Sequence, residues 1–228
     1  LSELIPLPET KLKSGTVLVV GLGNRGVTPD SLGPRVAERV FVTRHIKEHM
    51  PEAFDFDIPS VCAIAPGVLG VTGVETMDIV FGVANKVKPD LIIAVDALAS
   101  RRAARISTTI QLSDSGISPG SGVGNTRADL SRANLGVPVI AVGVPLVVYA
   151  STISQDTISL IADETGLHGD EERLRELAEQ VIAKHMGDFI VTPKDIDVIV
   201  EDMAGIIANA INSALFGNNL EQVRNMLA

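Results

Sequence analysis

The sequence predicts an α/β fold: a three-layer α/β/α sandwich with a mostly parallel sheet and a helical C-terminal part. Three observations carry this. Short apolar runs alternate with helix-period segments through residue 142, the pattern of βαβ units. The runs are apolar at nearly every position, as strands covered on both faces are. Beyond Pro145 the apolar spacing is helical.

Residues 16–20 (TVLVV) form a β-branched run closed by Gly21, which predicts a buried strand. A helix is predicted over 31–49, where Val36, Val40 and Phe41 share helical spacing and Pro34 is tolerated in the first turn. A second strand covers 58–64 and stops at Pro66-Gly67. A second helix is predicted over 72–87, opened by Thr72 and Glu75 in capping-box spacing. The run DLIIAV, 90–95, is a third strand that ends at Asp96; 108–112 is a fourth. A short helical segment, 127–134, precedes a fifth strand at 137–142.

Helices are predicted over 156–165, 171–185 and 193–216, the last with Thr192 as N-cap and Pro193 at its first position. GLHGDEE, 166–172, is the expected flexible connection, and the tail after Gly217 is weakly specified. The 228 residues read as one domain, 1–228, with its helical region from about 151 to 228.

Composition narrows the function. With 46% hydrophobic residues and a mean hydropathy of +0.30, the chain is able to fill a large core. Only 3% of residues are aromatic, so base-stacking surfaces are not expected. A net charge of −9 repels phosphate backbones, and no nucleic-acid partner is expected. A basic polypeptide partner is electrostatically allowed. The single cysteine, Cys62, excludes an internal disulfide framework and a cysteine-based zinc cluster. There is no leader pattern and no uninterrupted apolar run of about 18 residues, so no membrane span is expected.

Gly21-Leu22-Gly23-Asn24-Arg25-Gly26 has the literal spacing of a dinucleotide-binding loop. Such a loop opens directly into a helix and needs an acidic residue about 20 positions on, at the end of the second strand. Val27-Thr28-Pro29 interrupts before any helix, and the second strand comes later. A tight turn exploiting glycine is therefore expected, with no cofactor. The glycine-rich stretch from Gly120 to Asn125 is read as a surface loop.

Ligands of open α/β sheets bind at the carboxyl ends of the strands. The first strand leads to Asp30, and the third ends at Asp96. Each also stands where it would cap a following helix. Two aspartates at one sheet edge are, however, the pattern of a proton-sharing pair, because close carboxylates in a dry crevice do not both ionise. One would activate water and the other would protonate a leaving amine. Asp30 and Asp96 are the candidate catalytic residues. Asn24, Asn125 and Arg101 are the candidate substrate-binding residues, the asparagines to orient a peptide, Arg101 to pair with a carboxylate or face solvent. His45 and His49 have metal-ligand spacing, but they sit at a helix C-terminus suited to solvated cations, and no metal site is expected.

The blocks VGLGNRGVTPDSLGP, VTRH, CAIAPGVLGVTGVET, KPDLIIAVDALASR, TIQLSDSGISPGSGVGN, LGVPVIAVGVP and VTPKDIDVIVEDMA resemble the germination proteases of spore-forming bacteria. They run over about 17–159 and 189–214. The resemblance implies an endopeptidase that degrades small acid-soluble spore proteins during germination. It also implies a self-processing zymogen, a homotetramer and a place in the cytoplasm of the forespore or spore core. An unusual aspartic-type mechanism is implied, with the two aspartates of TPDSLGP and VDALASR, Asp30 and Asp96, in it. The family's fold is similar to that of hydrogenase maturation endopeptidases, which hold nickel with two acidic residues and a histidine. A nickel-directed maturation endopeptidase is therefore the first alternative, and a non-catalytic spore binding protein of the same fold the second. Relative to the family pattern, the N-terminal propeptide region is reduced to the first 15 residues at most, and the region around 162–184 is short.

Overall fold

The computed structural model describes residues 1–54, 56–118, 129–166, 171–185 and 189–227. Among these residues six strands form one sheet: β1 (Thr16–Gly21), β2 (Ser60–Ile64), β3 (Leu91–Ser100), β4 (Gln111–Ser113), β5 (Val139–Tyr149) and β6 (Ile190–Val191). The order is β2-β1-β3-β5-β4, with β6 pairing on β5. Strands β2, β1, β3 and β5 are parallel; β4 and β6 run antiparallel to β5. The mostly parallel α/β sheet of the sequence reading is what the chain forms.

Alternate side chains of the central strands enter two cores. Val17, Val19, Ile93, Val95 and Val142 face one; Leu18, Val20, Ile92 and Ala94 face the other. Helix α1 (Glu9–Ser14) precedes β1. The first core is covered by α2 (Leu32–Ala37) and by α9 (Ile196–Phe216), through Leu32, Val36, Val200, Ile207 and Ile211. The second is covered by α5 (Thr76–Val87), through Val80 and Ala84, and by Leu130. Full burial of one such aliphatic side chain contributes about 1.5–3 kcal/mol. Residues 196–227 are long and apolar enough to cross a bilayer. In this fold a row of them, from Ile196 to Val223, instead packs into the main core.

Several boundaries differ from expectation, each for a tertiary reason. The helix expected over 31–49 is two helices, α2 and α3 (Arg44–His49). At the break, the buried Asn212 of α9 accepts the Phe41 N–H at 2.9 Å and donates to the Arg39 carbonyl at 3.2 Å. Thr43 then docks the chain on β2: its hydroxyl donates to the Pro59 carbonyl at 2.7 Å and accepts the Val61 N–H at 3.0 Å. The expected Thr72–Glu75 capping box does not form. Thr72 closes α4 (Leu69–Thr72), its hydroxyl accepts the Val74 N–H, and Glu75 occupies the N-cap position of α5 without a side-chain cap bond.

Both central strands outrun their predicted ends, since β3 reaches Ser100 and β5 reaches Tyr149. The expected fourth strand shortens to β4 and lies at the sheet edge. The short helix before β5 is α6 (Arg132–Leu135). After β5, α7 (Ala150–Thr165) starts directly and packs on α8 (Glu171–His185). Gly166 ends α7 in the left-handed conformation at φ 69°. Most of the expected connection that follows, 167–170, lies outside the described residues. Thr192 does not cap α9; its hydroxyl donates to the Leu146 carbonyl at 3.0 Å, and α9 begins at Ile196. The tail is ordered as α10 (Leu220–Leu227), anchored by the fully buried Val223.

Candidate active site

The glycines after β1 explain the local path of the chain. Gly21 lies so close to the returning chain that a Cβ would stand 2.0 Å from the Gly33 carbonyl oxygen. A Cβ on Gly33 would meet the Leu22 carbonyl at 2.2 Å and the Val95 carbonyl at 2.5 Å. Gly23 adopts φ +109°, and a Cβ there would stand 2.1 Å from the Asp30 carbonyl oxygen. These separations are impossible for any side chain, so glycine is required at all three positions. The spacing that mimics a nucleotide loop serves backbone-on-backbone packing. It folds the segment carrying Asp30 back over the end of β1.

A tight turn fixes the rest of that segment. The Asn24 side-chain oxygen accepts the Gly26 N–H at 2.9 Å, and the Thr28–Asp30 turn is a single 3-10 turn with Pro29 inside it. Asn24 is thus a turn-former, and its backbone N–H donates to Asp30 Oδ2 at 2.7 Å. Asp30 is half-buried; desolvation raises its carboxyl above the ordinary range, and the Asn24 N–H opposes that rise.

Asp96 comes from the sheet itself. It lies within β3, one residue beyond Val95, which is the last to pair with β1. The expectation that the strand ends there is corrected: it is β1 that ends. Asp96 is only 5% exposed. Burial in this dry setting, and then the charge of Asp30, push its carboxyl up to about 8, against a lowering bond from the Ala97 N–H to Oδ1 at 2.9 Å. Two carboxylates from distant segments therefore share one field, and burial makes the deeper one the readier to hold a proton.

Arg101, His45 and His49 fall elsewhere. Arg101 is exposed past the end of β3, five residues from Asp96 or roughly 16 Å along an extended chain. Asn125 and its glycine-rich loop lie outside the described residues. His45 and His49 are exposed on α3. Among the described residues no third His, Cys, Asp or Glu joins Asp30 and Asp96 as a metal-ligand cluster. Among the described residues, the donor set at the pair is two carboxylates. Cys62 is half-buried in β2, and burial pushes its thiol up, away from reactivity.

The two carboxylates stand out in the sequence; the groups that position them, Gly33 and the Asn24 N–H, do not. The signal for Gly33 is a glycine just inside a helix start, in SLGP, where propensity disfavours it.

The sequence profile described as germination protease matches residues 7–171 and 164–226. The germination protease of Clostridium acetobutylicum is 48% identical over 229 residues, spanning 94% of this chain and 69% of that one. That of Caldanaerobacter subterraneus subsp. tengcongensis is 48% identical over 240 residues, covering all of this chain and 73% of its own length. Among solved structures, the NiFe-hydrogenase maturation protease HycI from Thermococcus kodakarensis is 19% identical. It aligns with a TM-score of 0.43 over 86% of this chain and 91% of its own.

Proposed function

The chain belongs to the germination protease family, which makes it a peptidase of spore germination. On that premise we propose that it hydrolyses small acid-soluble spore proteins by an aspartic-type mechanism in which Asp30 is the base and Asp96 the acid. The observation that carries this is the split environment of the two carboxyls. Asp96 is buried and protonated, with its carboxyl up at about 8. Asp30 is partly solvated and held by the Asn24 N–H, which favours its ionised form.

The chemistry follows from that asymmetry. Ionised Asp30 takes a proton from a water as the water oxygen bonds to the scissile carbonyl carbon, and Asp96 gives its proton to the carbonyl oxygen. The tetrahedral diol collapses when Asp30 passes its new proton to the amide nitrogen. The C–N bond breaks, one hydroxyl returns a proton to Asp96, and the resting pair is restored. Neither residue forms a covalent intermediate.

Other features of the reading come from the resemblance alone: a self-processed zymogen, a homotetramer, and a place in the forespore or spore core. The exposed Leu160, Leu174 and Val181 on α7 and α8 offer apolar surface suited to assembly.

Cleavage of a purified small acid-soluble spore protein tests the function, using the parent chain, Asp30→Asn and Asp96→Asn, with and without chelator. The reading requires cutting by the parent, indifference to chelator, and a loss of at least about 100-fold in each folded variant, the range of general acid–base effects. Activity surviving in either variant rejects the assigned pair.

A further inference from the structure

Strand β3 runs on past its neighbour. Pairing with β1 stops at Gly21 opposite Val95, followed by one bond from the Leu22 N–H to the Val95 carbonyl at 2.8 Å. From Ala97 to Ser100, β3 pairs among the described residues only with β5, on its other side. The lane that β1 would occupy, if it were as long, is flanked by Asp96 at its start and by the segment carrying Asp30.

Backbone groups of a strand turn to its two neighbours alternately. The Ile92 N–H turns toward β5 and meets the Pro138 carbonyl at 3.0 Å, whereas the Val95 carbonyl turns toward β1. The register with β5 slips by one between Leu98, opposite Pro145, and Ala99, opposite Val147, but the extra residue, Leu146, lies on β5. Carried forward along β3, which gains no residue, the alternation aims the N–H and C=O groups of Ala97 and Ala99 into the vacated lane. The Ala97 N–H is held by Asp96 Oδ1. The Ala97 carbonyl and both groups of Ala99 have no strand partner among the described residues. Ala97 and Ala99 are each partly exposed, so this edge is reachable.

We propose that the polypeptide substrate adds to the free edge of β3 as a further strand, hydrogen-bonded to Ala97 and Ala99, which lays its scissile bond between Asp30 and Asp96. This rests on the peptidase reading above. An extended chain is the ligand whose donors and acceptors repeat at the spacing of a strand edge. It replaces the missing length of β1 and brings its carbonyls level with the carboxylates. Main-chain pairing supplies affinity without demanding a sequence, and alternate side chains of the substrate meet the site walls. It also selects locally unfolded substrate, since a residue already in a helix or sheet has no free edge groups.

Two readouts test this. Peptides spanning a mapped cut in a small acid-soluble spore protein are N-methylated at one position at a time and assayed with the unaltered chain. Loss should alternate. Methylation of the amides that face β3 lowers kcat/KM about tenfold or more, one hydrogen bond's worth, and methylation of those between leaves it nearly unchanged. A flat or non-alternating pattern overturns the proposal. Independently of cutting, amide exchange is measured by NMR in Asp30→Asn protein with and without saturating small acid-soluble spore protein. Slowed exchange at Ala99 is expected, and unchanged exchange overturns the proposal. Cutting without protection at Ala99 leaves the peptidase reading standing and removes the edge. Protection without cutting does the reverse. Ala99→Pro gives a matching variant, since proline is tolerated where a strand N–H faces no partner; it should keep the fold and lose about tenfold in kcat/KM.

Discussion

Asp30 stands near enough to Asp96 for its charge to help raise the Asp96 carboxyl to about 8, while Asp30 itself keeps a partly solvated side and the Asn24 N–H. The working state of such a pair carries one proton. Activity should therefore rise with pH as Asp30 ionises, at a pH above the ordinary carboxylate range, and fall as Asp96 loses its proton near pH 8. The check is kcat/KM against pH on a small acid-soluble spore protein. A profile still flat at pH 9 contradicts the protonated acid. Removing the Asp30 charge with Asp30→Asn should also lower the Asp96 carboxyl, which an NMR titration of Asp96 would show as a shift toward acid.

The same proton links stability to pH. The unfolded Asp96 titrates near the model-peptide value of 3.8, and the folded one near 8. Between those limits the folded state holds the extra proton, so stability is full below pH 4 and declines as pH rises through 8. Asp96→Asn removes the titration. The variant should be more stable than the parent above pH 8, by on the order of a few kcal/mol, with little difference at pH 4. Denaturant melts at the two pH values measure it. A gain of stability with a loss of cleavage is the expected signature of a strained functional carboxyl.

Gly33 is required by close approach, not by a turn. Its Cβ would stand 2.2 Å from the Leu22 carbonyl and 2.5 Å from that of Val95, both backbone atoms that do not swing aside. Gly33→Ala should destabilise the chain by about 3 kcal/mol or more and displace the Asp30 segment. Gly82, with open space around its Cα on the exposed side of α5, is the control: Gly82→Ala should be neutral or stabilising by up to about 1 kcal/mol. Thermal melts of the two variants decide it.

The sheet was legible because parallel strands buried on both faces announce themselves as unbroken apolar runs, as LIIAV does in β3. Asp30 and Asp96 were legible because strand-end carboxylates are few and stand out against such runs. What was hidden depends on contacts far apart in sequence. No local pattern shows that β1 stops short of β3, so Asp96 read as the end of its own strand. The capping-box spacing of Thr72 and Glu75 was real, but Gly73 in the left-handed conformation ended one helix between them. The alanine edge beyond Asp96 carries no side-chain signal at all, because its chemistry is main-chain.

The break between α2 and α3 gives the clearest case of a long-range partner overriding a local period. Residues 31–49 keep helical spacing, yet the chain leaves the helix after Ala37, and Asn212, 2% exposed on α9, takes the stranded Phe41 N–H and Arg39 carbonyl. Arg35 and Arg39 pin the same corner to Glu201, though that carboxylate is solvent-exposed, and such pairs contribute little. Asn212 should therefore dominate. Asn212→Leu would fill the space but leave two part-buried backbone groups without this partner, costing about 1–3 kcal/mol. Glu201→Gln should change stability little, because solvent screens both pairs. Urea denaturation of both separates them. Near-equal losses would mean that the surface ion pairs, and not the buried amide, hold α2 against α9.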